Sequence, residues 1–359
     1  MKKRVAWIDI ARAIGIFFIV LGHIPEDGLV RKYIFSFHVP FFFLISGICF
    51  NGHEDFKRFV EKKVKTIVVP YFVFSIMSIM IFAIAGHIIP SITKGINTDI
   101  LFNIRVMLYG NSKPSLMKYN LPLWFLPCLF STSVIVYGIE RFLQKVQYKN
   151  IFRGLCIAVL ILIGGFYTKY MSHIYLPWHI ETAIQMAVFY LLGVQVQENG
   201  ILNYSEQEGN TPRVVSVLLT GAFLLMGIYG SQLNHIVGVR NDSYGNFLLY
   251  YAVSLCNCFV WIRIAMYIKH NKVLEYVGKN TLSILVLHKF PIMLVTTVLG
   301  NSRFVTIDNL ISFIAACMIA IITMGLCLIG NFVISYCCPV IIGKQSKVRK
   351  RIRHENKNS

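Results

Sequence analysis

The 359-residue chain is short of charge, and of negative charge above all: Asp and Glu number 16 against 35 Lys and Arg, and the four types together make up 14%. A soluble domain carries about 25%, so too few groups are present to solvate a globular surface. Disordered chains, coiled coils and nucleic-acid-binding domains fit this composition poorly. Zinc-type ligand spacing is also missing. Cys49, Cys128, Cys156, Cys256, Cys258, Cys317, Cys327, Cys337 and Cys338 fall almost entirely in apolar stretches, where thiols serve as small packing residues. Neither a disulfide framework nor a metal site is expected. No small-x-small cleavage motif follows His23, and Asp9 and Arg12 interrupt the first apolar run, which therefore reads as a retained span. No fixed-period repeat and no second domain stand out.

What the chain does have is hydrophobic length: 56% hydrophobic residues, 14% aromatic, and a mean hydropathy of +0.62. A span needs about 20 mostly apolar residues. Ten such stretches lie at 5–25, 33–51, 66–90, 121–141, 152–168, 179–197, 213–233, 246–268, 280–300 and 307–338. The expected fold is an all-α polytopic membrane protein with both termini in the cytoplasm. With the N-terminus inside, 23 basic residues face the cytoplasm and 9 face out, while Arg12, Arg263 and Lys289 sit within spans. That asymmetry is the one the positive-inside rule requires, and it explains most of the +19 formal charge without a nucleic acid. Residues 1–343 form one transmembrane domain, and 344–359 a basic cytoplasmic tail.

Ionisable groups at membrane depth are expensive and tend to be functional. Asp9, Arg12, His23, His38, Glu181, Arg263, His288 and Lys289 meet that description. Arg12 and His23 lie eleven positions apart, three turns plus about 20° and about 16.5 Å of rise, so they share one helix face. Asp9, one turn before Arg12, can pair with it. A salt bridge that orients the helix, plus a headgroup-level histidine, would give the same spacing. His38 adds weight to chemistry: a short link makes the first two spans antiparallel neighbours, so two imidazoles converge near the outer surface, where they can handle a proton or an acyl group. Lys289 needs a partner or an aqueous cavity. Glu181 can face an outside cavity or simply favour a helix start. Trp124 can be an interface anchor.

At these residues the sequence resembles the integral-membrane acyltransferase family three. Asp9-x-x-Arg12 followed by ten residues and His23 is similar to its first-helix signature. Phe37-His38-Val39-Pro40-Phe41-Phe42-Phe43-Leu44-Ile45-Ser46-Gly47 is similar to its second, and the basic Lys57–Lys65 stretch before Val69-Pro70-Tyr71 to its cytoplasmic loop. Leu123-Trp124-Phe125-Leu126-Pro127, Leu176-Pro177-Trp178, Tyr244-Gly245-Asn246 and Gly278-Lys279-Asn280-Thr281-Leu282-Ser283-Ile284 before His288 look like the fucose 4-O-acetylase branch.

The resemblance implies a bacterial cytoplasmic-membrane enzyme that moves an acetyl group from cytoplasmic acetyl-CoA, a co-substrate rather than a bound cofactor, to a polysaccharide or lipid-linked sugar hydroxyl outside. It implies His23 as base or acyl carrier, with Arg12 catalytic beside it and Asp9, His38 and His288 in support. Trp124, Glu181, Asn246 and Lys289 are candidate substrate contacts. Lys57, Arg58, Lys62, Lys63 and Lys65 are a candidate donor-docking surface, which plain topology would also explain. Membrane lipids are the remaining expected partner, and a homo-oligomer is left open. A flippase for a lipid-linked sugar is the rival reading. It would use His23, His38 and Lys289 as a proton relay and should show inverted-repeat hydropathy, which is not seen.

Overall fold

The computed structural model describes residues 5–24, 28–88, 93, 95–113, 116–200, 213–299 and 310–342. The expected basic tail at 344–359 and the N-terminal Lys2, Lys3 and Arg4 lie outside the described residues. The described chain is nearly all helical. Its one β interaction is an isolated antiparallel bridge, Gly238 to Ser243.

In order, the helices are α1 (Ala6–Gly22), α2 (Leu29–Phe35), α3 (His38–Ile48), α4 (Phe56–Lys63), α5 (Val69–Ile88), α6 (Ile100–Tyr109), α7 (Phe125–Leu143) and α8 (Lys149–Phe166). They continue with α9 (Ile180–Glu198), α10 (Arg213–Leu233), α11 (Phe247–Ile268), α12 (Lys272–Lys279), α13 (Thr281–Leu287), α14 (Lys289–Leu299) and α15 (Leu310–Cys337). Among the described residues, seven segments are long and apolar enough to cross a membrane: Leu29–Ile48, Phe56–Ile88, Lys118–Leu143, Lys149–Met171, Val214–Leu233, Phe247–Ile268 and Leu310–Cys337.

The three further expected spans correspond to helices that fall short for physical reasons. α1 has 17 residues and stops where His23 caps it. α9 carries Glu181, Thr182 and Gln185, all buried inside the protein. The stretch 280–300 breaks at His288, because Pro291 has no N–H for the Leu287 carbonyl four residues back.

Proline shapes two more helices in the same way. Pro40 leaves the Ser36 carbonyl without its helical donor, and the chain breaks between α2 and α3. The Ser254 hydroxyl donates to the freed carbonyl (2.5 Å), and Asn257 Nδ2 donates to the Ser36 hydroxyl (3.1 Å). Ahead of Pro70 the backbone widens into a π-helical turn, Val64–Val68.

The layering is that of a protein solvated by lipid. α8, α10 and α15 present apolar side chains outward, with Leu162 72% exposed, Leu225 69% and Ile311 80%, as a hydrocarbon surround permits. α1 lies inside, with Ile10, Ala11, Ile16 and Val20 buried. Two contacts bring backbones together without side chains between them. A Cβ on Gly278 would lie 1.8 Å from the Asp9 carbonyl oxygen, and one on Gly47 would lie 1.9 Å from that of Tyr190. Small residues at helix crossings permit such an approach, and here they seat α12 on α1 and α3 on α9. One cation near the start of α8 is internal. Arg153 is fully buried and forks onto Glu140 (2.7 and 2.9 Å), with Glu198 at 2.6 Å.

Candidate functional site

Each of the three histidines lies at a helix end or break. His23 caps α1, His38 opens α3 behind the Pro40 break, and His288 fills the break made by Pro291. Each Nδ1 is within hydrogen-bond reach of a carbonyl four residues back: Ile19 for His23 (2.6 Å), Ile34 for His38 (2.8 Å) and Ile284 for His288 (3.0 Å). A carbonyl only accepts, so Nδ1 carries the hydrogen in each ring. The neutral imidazole then keeps its lone pair at Nε2.

The rings gather in one place. His23 and His288 meet edge to face with centroids 5.0 Å apart. Phe35 lies 6.4 Å from His23 and 4.8 Å from His38, joining the third ring to the group. His23 is exposed, whereas His38 and His288 are buried. His288 Nε2 has no hydrogen-bond partner among the described residues. The cluster thus offers one accessible base with a buried acceptor beside it.

Arg12 occupies the other end of α1. Its Nη1 is 3.5 Å from Asp9 Oδ1, as the one-turn spacing suggested, and its Nη2 is 3.4 Å from Cys49 Sγ. The five basic residues of the candidate docking surface separate in the structure. Arg58 and Lys62 both pair with Glu54, and Lys65 with Glu61. Lys57 is exposed at the start of α4, where its backbone N–H is capped by Asp55. Lys63 turns inward: its Nζ is 3.5 Å from the Tyr190 hydroxyl and 5.4 Å from the centre of the Phe59 ring, and its charge reaches Arg12.

The remaining candidates go elsewhere. Lys289 donates to the Lys118 carbonyl and sits 4.9 Å from the Phe82 ring centre. Asn246 caps α11, accepting the Leu249 N–H at 3.1 Å. Trp124 is buried rather than interfacial, 5.2 Å from the His179 ring.

Glu181 belongs to a buried ionic cluster that sequence reasoning missed. Lys113 Nζ lies between Glu181 Oε1 (3.0 Å) and Asp242 Oδ2. Asn111 Nδ2 and the Leu176 N–H donate to Glu181 (2.8 and 3.2 Å), while Thr182 and Tyr244 hydroxyls donate to Asp242 (2.9 and 3.2 Å). Burial, with the Asp242 charge second, pushes the Tyr244 phenol well above its ordinary range, so it stays a donor. His179 Nε2 accepts the Ser112 N–H at 3.0 Å. Trp178 and His179 both hold left-handed backbone (φ 56° and 52°), a strained pair that only dense surroundings maintain. Two of the contributing segments had been picked out by resemblance, Leu176-Pro177-Trp178 and Tyr244-Gly245-Asn246.

Among the described residues no group of three or more His, Cys, Asp or Glu is arranged to hold a metal. No curated protein matches the chain, and no solved structure does. Residues 5–331 match the family model described as an acyltransferase domain. With that match running over nearly its whole length, the chain belongs to acyltransferase family three and is a multi-pass membrane acyltransferase.

Proposed function

We propose that the protein takes an acetyl group from acetyl-CoA on the cytoplasmic side and places it on a sugar hydroxyl of a cell-envelope or capsular glycan outside. In this reading the chain crosses the bacterial cytoplasmic membrane ten times, with α1, α9 and the broken α13–α14 pair as inner spans and both termini in the cytoplasm. The observation that carries it is the accessible His23 ring. Its hydrogen is committed at Nδ1, its Nε2 lone pair is left over, and it stands about 16.5 Å along one helix face from Arg12.

The chemistry follows from those positions. Arg12 and inward-turned Lys63 present two cations where the phosphates of the donor would dock. The thioester-bearing arm then extends along α1 toward the histidines. His23 Nε2 removes the acceptor hydroxyl proton as the oxygen adds to the thioester carbonyl. The tetrahedral intermediate collapses, the C–S bond breaks, and the CoA thiolate leaves and is protonated. In the covalent variant, Nε2 itself attacks the thioester, and the acyl-imidazole is then taken by the hydroxyl. The resemblance to the fucose 4-O-acetylase branch supports a sugar acceptor.

The test is acetyl-CoA consumption by membranes containing the protein. Turnover that rises when envelope glycan is added supports acyl transfer. Transport of lipid-linked sugar with no turnover would replace it with a flippase.

A further inference from the structure

Between α10 and α11, a tightly built turn holds out an arginine. Gly238 N–H donates to the Ser243 carbonyl (2.7 Å) and Ser243 N–H donates back (3.2 Å), while Asn241 N–H also donates to Gly238 (2.8 Å). Asn234 locks the exit, donating to the Tyr244 carbonyl and accepting the Asn246 N–H, both at 2.9 Å. Val239, Asp242 and Tyr244 are buried. Arg240, at the tip, is half-buried.

A guanidinium has five N–H donors. Arg240 uses Nη1 on the Ser112 carbonyl at 3.3 Å. Among the described residues no carboxylate lies within 4.0 Å of it. Two buried carboxylates, Asp242 and Glu181, are both held by Lys113. Burial lowers the Arg240 pKa. Its charge nevertheless reaches His23, as does that of Arg31, which stacks 4.7 Å over Phe35. A half-buried cation whose charge is felt at His23 is therefore left with most of its donors for something else.

We propose that Arg240 is a subsite for an anionic group, a carboxylate or a phosphate, carried by the acceptor close to the hydroxyl that is acylated. The planar fork matches either oxyanion with two parallel hydrogen bonds. Anchoring the anion fixes the rotation of the sugar, so that one hydroxyl meets His23 Nε2. Arg240 is a specificity residue on this view, and the proposal rests on the acyl-transfer reading above.

The experiment uses the full-length protein in permeabilised vesicles with labelled acetyl-CoA. The acceptor is glycan from a strain lacking the gene, supplied untreated, carbodiimide-amidated, or dephosphorylated, in vesicles of zwitterionic or anionic lipid. One neutralisation should raise the wild-type acceptor KM by about tenfold or more, and which one does so identifies the anion. Arg240→Gln should show that raised KM on untreated glycan, with no further response to neutralisation and an unchanged acetyl-CoA KM. Arg240→Lys, keeping charge without the fork, should fall between. A wild-type acceptor KM in Arg240→Gln, or a wild-type response to neutralisation, overturns the proposal. A dependence on Arg240 that follows the lipid charge instead assigns the cation to headgroups and also overturns it. If Arg240→Gln does not fold, indifference of the wild type to both neutralisations overturns it equally. Wild type that transfers no acetyl group at all removes the underlying acyl-transfer reading, a distinguishable failure.

Discussion

The imidazoles of His23 and His288 meet edge to face at 5.0 Å, and each has its Nδ1 hydrogen tied to its own helix. Two Nε2 lone pairs therefore fall in one small region, one exposed and one buried. If His288 positions His23 or accepts its proton, His288→Ala should lower kcat by roughly 10- to 100-fold. The acetyl-CoA KM should stay within about twofold, since in the proposed reading the donor phosphates dock at the other end of α1. A kcat within twofold of wild type would make the contact simple packing.

The candidate docking loop yields a sharper contrast. Lys63 lies against Tyr190 and near Arg12, whereas Lys57 is exposed and Lys65 pairs with Glu61. Lys63→Gln should raise the acetyl-CoA KM by about fivefold or more, as loss of a charged hydrogen bond would. Lys57→Gln and Lys65→Gln should leave it unchanged. Equal effects at all three positions would point to a diffuse field rather than a seat.

Backbone contact predicts where a methyl group cannot go. A Cβ at Gly278 would stand 1.8 Å from the Asp9 carbonyl oxygen, and α1 would have to move. Gly278→Ala should destabilise the protein by about 1–3 kcal/mol and weaken donor binding by displacing Arg12. Gly138, also in a helix, has nothing within 4 Å of its missing Cβ. There alanine should be neutral or stabilising by up to about 1 kcal/mol. Thermal unfolding in detergent measures both.

Much of this was legible in the sequence, and the gaps have causes. The Asp9–Arg12 pair and the α1 face follow from helical arithmetic alone. The convergence of His38 on His23 was readable as two polar residues at matched depth, whereas His288, placed at mid-span by the sequence, was joined to them only by the resemblance. What they share is visible only in the backbone: the breaks created by Pro40 and Pro291 and the hydrogen bonds that fix each ring. The buried Lys113–Glu181–Asp242 cluster was out of reach because its members are 68 and 129 residues from Lys113 along the chain. No periodicity connects loops. Seven spans stand out where ten were expected because inner helices, shielded from lipid, can be short, polar or broken.

That cluster predicts an asymmetry in stability. Lys113→Met leaves two carboxylates buried with no cation and should destabilise the fold by about 3–5 kcal/mol. Adding Glu181→Gln and Asp242→Asn removes those charges and should restore most of the loss. Unfolding midpoints of the single and triple variants decide it: a triple variant no more stable than the single one would contradict charge as the cause.

The most direct measurement is transfer of labelled acetyl from acetyl-CoA to native envelope glycan by full-length wild type and by His23→Ala at matched membrane abundance. Wild type should label the glycan, and His23→Ala should fall by about 100-fold or more. Undiminished labelling by a folded His23→Ala protein would contradict His23 as the base or carrier, and with it the central claim.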